Sequence, residues 1–153
     1  MTLSILENYS CEEIFRDVSS VRQQLFIHDR LIAKFLPKIS QKLTDLCVDP
    51  LFYATSWYMT LFTAVLPYSY VIRLIDCFLL EKWKIIYRLA LAILKKKEKK
   101  LLSARLIEEI FAILKDFSDF QGSEDKLFRS AIKDFVFGRQ LISNMEKEFN
   151  EQH

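Results

Sequence analysis

The sequence predicts an all-α protein, and three observations lead there. Only two glycines and three prolines occur in 153 residues, too few turn formers for a sheet protein of this size. Apolar residues recur at helical spacing in most segments. The apolar fraction is 51%, enough for one domain with a substantial core. The arrangement expected is an irregular bundle of about eight to ten helices rather than a coiled coil.

At the N-terminus, residues 3–9 read as a helix end, and Ser10 with Glu13 has the spacing of a capping box. Val18, Val21, Leu25, His28, Ile32, Phe35, Ile39, Leu43 and Leu46 then follow at steps of three and four, as one helix face. Pro37 must kink or divide that helix, since it lacks an N–H and clashes with the preceding turn. Asp49-Pro50 marks a turn and a new helix start, and that helix carries Trp57, Leu61 and Phe62. Pro67 opens the next one, with Val71, Leu74, Ile75, Phe78 and Leu79 inward. From Trp83 to Leu94 the residues are apolar on nearly every side, the pattern of a central helix.

The run Lys95-Lys96-Lys97-Glu98-Lys99-Lys100 suits a solvated helix C-terminus, where cations meet the negative end of the dipole. Contact with anionic lipid is the alternative reading. Ser103 is placed to cap a helix through Lys115 with Leu106, Ile110, Ile113 and Leu114 inward. A loop over 116–125 contains Gly122. Ser123 then caps a helix over 124–137 with Leu127, Ala131, Ile132 and Phe135 inward. Gly138 separates it from a last helix over 139–151.

Composition narrows function. A net charge of +2 gives no argument for nucleic acid. Cys11, Cys47 and Cys77 are odd in number and scattered, as expected of reduced thiols in the cytoplasm. His28 and His153 are the only histidines, no Cys/His cluster has metal spacing, and no phosphate loop or nucleophile elbow occurs. No metal and no cofactor are therefore expected. The start lacks the basic and apolar regions of a signal peptide. The 13 Phe and 6 Tyr either fill a core or partly face a partner.

Within residues 66–81, Arg73 and Asp76 are charges in an otherwise apolar stretch, so burial requires that they pair. Their i, i+3 spacing allows that on a helix. Polar and charged residues interrupt every window of 51–80 long enough to span a membrane, so no transmembrane segment is expected.

These pieces, in this order, resemble the C-terminal half of the TBC domain, the GTPase-activating domain of Rab GAPs. Leu36-Pro37-Lys38-Ile39 matches the family's Leu-Pro-x-Leu. Pro50, Tyr53 and Trp57 match the following turn and Trp helix. Leu66, Pro67, Arg73, Asp76 and Glu81 keep the spacing of Leu-Pro, Arg-x-Trp-Asp and Glu-Gly. Residues 87–95 resemble the family's buried helix. Ile75 stands where the family has Trp, and Lys82 where it has Gly, which suggests that the turn at Lys82 needs no positive φ.

The resemblance implies a Rab-type small GTPase as partner and a cytoplasmic protein, peripheral to membranes at most. It implies residues 1–118 as the C-terminal lobe and 119–153 as a helical extension packing on it. The family's catalytic fingers are an Arg in Ile-x-x-Asp-x-x-Arg, which offsets charge on the transferred phosphoryl group, and a Gln in Tyr-x-Gln, which orients the attacking water. Neither motif occurs here. Ile14-Phe15-Arg16-Asp17 begins like the first, but Ser20 holds the Arg position and Arg22 falls on another face. Gln23 and Gln24 follow no Tyr-x. Arg16, Arg22, Gln23 and Gln24 are read as solvated, Arg73 and Asp76 as a buried structural pair, and no residue as catalytic. The alternatives are a fragment or split half of an active GAP, completed by a missing N-terminal lobe or by self-association, and a helical adaptor with no GTPase link.

Overall fold

The computed structural model describes residues 18–120 and 124–152. The 3–9 helix end, the Ser10/Glu13 box, Cys11, Ile14 to Asp17, Gly122, Ser123 and His153 lie outside them, as does the side chain of Ser20. Nine α-helices and one 3₁₀ turn make up the described residues, with no strand among them. They are α1 (Val18–Phe35), α2 (Pro37–Asp45), α3 (Pro50–Met59), α4 (Tyr68–Glu81), α5 (Trp83–Lys96), α6 (Glu98–Ser103), α7 (Ile107–Lys115), the turn Ser118–Phe120, α8 (Glu124–Asp134) and α9 (Arg139–Gln152).

Prolines set the first boundaries. Leu36 N–H still donates to Ile32 at 2.8 Å, after which Pro37 stands at the start of α2, where its missing N–H costs nothing. The periodic segment is thus divided in two, as its sequence demands. Asp49 caps α3 by accepting from Leu51 N–H at 2.8 Å, with Pro50 in the first turn. Leu61 and Phe62 leave α3 at φ 50° and 64°. That reversal brings the Phe62 ring to 5.5 Å from Trp57, and Phe62 is fully buried.

Helix α5 is the centre. All of Ile85 to Leu94 is buried, and α1, α4 and α8 pack around it. Each large apolar side chain buried there contributes roughly 1.5–3 kcal/mol. Helix α9 lies on α1 through Ile142 and Met145, so residues 124–152 close the same core that α1 to α5 begin.

Several local expectations are corrected. Helix α4 buries Tyr70, Leu74 and Phe78, whereas Leu79 is exposed. The Tyr70 hydroxyl donates to the Phe120 carbonyl, and this polar anchor selects the inward face. Ser103 caps nothing: it ends α6 and donates to Lys99 O at 2.9 Å. Helix α7 begins only at Ile107, with Leu106 exposed. The Glu109 carboxylate reaches back to Arg105 N–H at 2.9 Å, and Glu108 and Glu109 suit the positive helix end. Helix α8 stops at Asp134, not 137, and buries Phe128 while Ile132 faces out. The chain then alternates: Phe135 and Phe137 are buried and Val136 is exposed, a period of two rather than of a helix. Both rings reach Phe35, at 5.9 and 5.6 Å.

Lys82, between α4 and α5, sits at φ 57° and ψ −136°. The turn does use positive φ, contrary to the expectation drawn from its Lys. A side chain there adopts a conformation that glycine takes without strain.

Candidate functional site

The motif residues converge only in part. Tyr53 and Trp57 lie one turn apart on the buried face of α3, opposite His28 of α1. His28 Nδ1 is 2.7 Å from Tyr58 Oη and Nε2 is 2.8 Å from Tyr53 Oη. Three rings, Tyr53, Trp57 and Tyr58, meet the imidazole edge-on at 5.6, 6.2 and 5.4 Å. Burial lowers the imidazole pKa to about 3, so the ring is neutral, donating to one tyrosine and accepting from the other. Burial likewise raises both phenols, helped at Tyr53 by the carboxylates of Asp29 and Asp49. This is a satisfied polar clasp between α1 and α3, closed to solvent, with no group poised to exchange protons near neutrality.

Leu66 is buried ahead of Pro67, but Arg73 and Asp76 do not form the buried pair. Both are exposed. Arg73 instead joins Asp125 of α8 in an ion pair, its guanidinium 5.6 Å from the Phe128 ring. Beside it Ser69 donates to Glu124 at 2.5 Å. The reason lies in α4's facing: with Tyr70, Leu74 and Phe78 inward, positions 73 and 76 point to the flanks and to water.

The buried cation is Arg88, in the middle of α5. Its Nη1 donates to Glu81 at 3.1 Å and its Nη2 to the Phe137 carbonyl at 3.0 Å. The guanidinium lies 5.2 Å from the Phe137 ring, and Nε is buried without a partner. Glu81 is thus the one charged motif residue that reaches the interior. The sequence held the signal for Arg88, the one charge within the apolar run Ile85–Leu94.

The lysine run is only partly solvated. Lys97 is buried and donates to the Ile113 carbonyl at 2.7 Å and to that of Asp116. It therefore caps the C-terminus of α7 from the turn between α5 and α6. Lys96 lies over the Phe120 ring at 4.2 Å, and Lys95 pairs with Asp134 at 2.8 Å. Among the residues read as solvated, Arg22 is exposed but Gln24 is 8% exposed, its Oε1 buried without a partner. Arg22 lines a groove of about 400 Å³ with Phe26, Asp29, Asp49 and Phe149 at the start of α3; burial raises the Asp29 carboxyl there.

No group of described residues has the composition of a metal site, and no described helix is long and apolar enough to cross a membrane. Tyr53, Trp57 and Leu66 are buried in the core, and Glu81 pairs with the buried Arg88. The described frame is all-α and carries its motif residues in the order Pro37, Pro50, Tyr53, Trp57, Leu66, Pro67 and Glu81.

The Rab-GTPase-TBC domain pattern matches residues 1–102, and the chain belongs to that family. Similar proteins include Rab GTPase-activating protein eat-17 of Caenorhabditis elegans, 30% identical over 65% of this chain and 11% of its own. GTPase-activating protein GYP5 of Eremothecium gossypii is 28% identical over 92% of this chain and 16% of its own. Ecotropic viral integration site 5 protein of Mus musculus is 22% identical over 96% and 18%. The chain thus spans less than a fifth of the length of these relatives.

Proposed function

We propose that these 153 residues act as the C-terminal lobe of a Rab GAP-like protein, binding a Rab-type GTPase without themselves accelerating hydrolysis. The observation that carries this is a conjunction: the family pattern spans two thirds of the sequence, and neither finger motif occurs within it. An Arg finger contributes about 10³–10⁵ in rate, so its absence from these residues matters more than any packing difference. Residues 1–118 would be the lobe and 119–153 its extension, in a cytoplasmic protein peripheral to membranes. The test is single-turnover GTP hydrolysis by a panel of Rabs with the chain in excess. Hydrolysis should stay at the intrinsic rate, and stimulation comparable to a complete TBC domain would defeat the proposal. Pull-down with nucleotide-loaded Rabs separates it from the adaptor reading, which predicts no Rab retained.

One observation favours a second reading, a split half of an active GAP. Tyr68, Ile72 and Leu79 are exposed at 79%, 48% and 44%, at helical spacing on one side of α4. Such a stripe suits coverage by another lobe. Adding the N-terminal half of a TBC domain in trans should then restore hydrolysis, and mixtures that stay inactive would leave the first reading standing.

A further inference from the structure

Helix α4 turns an apolar face with a carboxylate inside it away from the core. Tyr68, Ile72, Leu79 and Leu80 are exposed at 79%, 48%, 44% and 82%. At about 100° per residue the four fall within roughly 120° of one another, on the side away from Tyr70, Leu74 and Phe78. Asp76 falls between Ile72 and Leu80 in that projection. It is exposed and pairs with no cation among the described residues. A surface that covers this face must bring Asp76 a cation, because a covered carboxylate without one is costly.

Arg73 stands three residues before Asp76, on the same outward side. Its ion pair with Asp125 leaves it able to take a second carboxylate. A guanidinium has five donors, and the two side chains keep 45% and 71% of their exposure. Arg129 lies one helical turn beyond Asp125 on α8, at the spacing that lets it share that carboxylate.

We infer that this face binds the same face of a second copy of the chain, with the two α4 helices antiparallel about a two-fold axis. An isologous contact requires a surface complementary to itself, and a cation three residues before an anion on one helix meets that requirement. Reversing the second helix sets Arg73 against the partner's Asp76, and Asp76 against the partner's Arg73. The same register brings Tyr68 beside the partner's Leu80. An aromatic side chain alone offers about 150–250 Å², so the face covers on the order of 500 Å² per copy. The pair then buries about 1,000 Å², the lower end for a specific interface. The dimer is therefore reversible, with a Kd of about 10–100 μM. The inference goes beyond both functional readings: it assigns the α4 stripe to self-association whether or not a GTPase is bound.

The test is sedimentation equilibrium of the full chain from about 2 to 300 μM, in about 0.1 M salt to limit screening. The average mass should rise from 18.2 kDa toward twice that value. At the lowest concentrations the chain is monomeric, so thermal melts there report folding alone. The variant Y68E/L80E, at two positions almost clear of the core, should keep the wild-type melt and stay monomeric throughout. D76R sets arginines against one another and should weaken the dimer at least about tenfold. The charge swap R73D/D76R restores opposite signs across the axis and should recover most of that loss. Lys38→Glu, exposed on α2, should change nothing. A wild-type chain still monomeric at the highest concentration would overturn the inference and leave the face to another lobe. A dimer untouched by Y68E/L80E would also overturn it, and a charge swap as weak as D76R would overturn the antiparallel pairing on which it rests.

Discussion

Helices α4 and α5 follow one another with only Lys82 between them, and each holds one arginine among apolar residues. Arg73 lies in the family's most diagnostic stretch, yet it stands at the surface and pairs across to Asp125. Arg88 lies in a segment without a charged motif, yet it is buried and held by Glu81 and the Phe137 carbonyl. The difference teaches where cost resides. An exposed ion pair is worth about 0–1 kcal/mol, whereas a buried cation stripped of its partner is strongly destabilising. Motif membership marks the family, and burial decides which charge the fold depends on.

The largest expected effect breaks the α5 side of this comparison. Glu81→Ala leaves the Arg88 guanidinium buried and short of its anion. A loss of about 3 kcal/mol is expected, at the lower end for a broken buried pair because Glu81 keeps some water. The thermal midpoint should fall by about 6–12 °C, at roughly 2–4 °C per kcal/mol for a chain of this size.

The clasp between α1 and α3 should respond to pH. His28 titrates at about 3 in the folded chain against an ordinary 6.5. Between those values the unfolded chain binds the proton and the folded chain does not, so stability falls as pH drops below about 6.5. The slope contributed by one such group approaches about 1.4 kcal/mol per pH unit. Above neutrality it contributes none. Urea melts from pH 7.5 to 4.5 should show this loss, and His28→Gln, destabilised throughout, should lack that component of the slope.

Lys82→Gly should stabilise the chain by about 1 kcal/mol, since it relieves a side chain at φ 57°. Equilibrium unfolding measures the gain, and a loss would mean that the Lys82 side chain contributes more than its backbone strain costs. The smallest effect falls on the α4 side: Asp76→Ala, at an exposed position, should stay within about 0.5 kcal/mol of wild type.

Helix boundaries at Pro37, Pro50 and Pro67 were legible because proline acts through its own ring and its missing N–H, a local matter. The central role of α5 was legible because apolar residues on every side leave no face for water. The facing of α4 was not. With Tyr70, Val71, Ile72, Leu74, Ile75, Phe78, Leu79 and Leu80 around one helix, several stripes satisfy the same spacing. The choice falls to the Tyr70 hydroxyl and its partner at Phe120, fifty residues away. Lys97 was equally hidden: a lysine in a basic run looks solvated until the carbonyls at the end of α7 arrive beside it. His28 was readable as a member of a buried face, whereas its two tyrosine partners depended on how α1 meets α3.

The central claim is that the charged pair supporting this fold is Arg88–Glu81 and that Arg73 and Asp76 form no buried pair. Thermal melts of Glu81→Ala and Asp76→Ala, run side by side with wild type, test it most directly. The account predicts a midpoint lowered by about 6–12 °C for Glu81→Ala and one indistinguishable from wild type for Asp76→Ala. A marked fall for Asp76→Ala with little change for Glu81→Ala would contradict it.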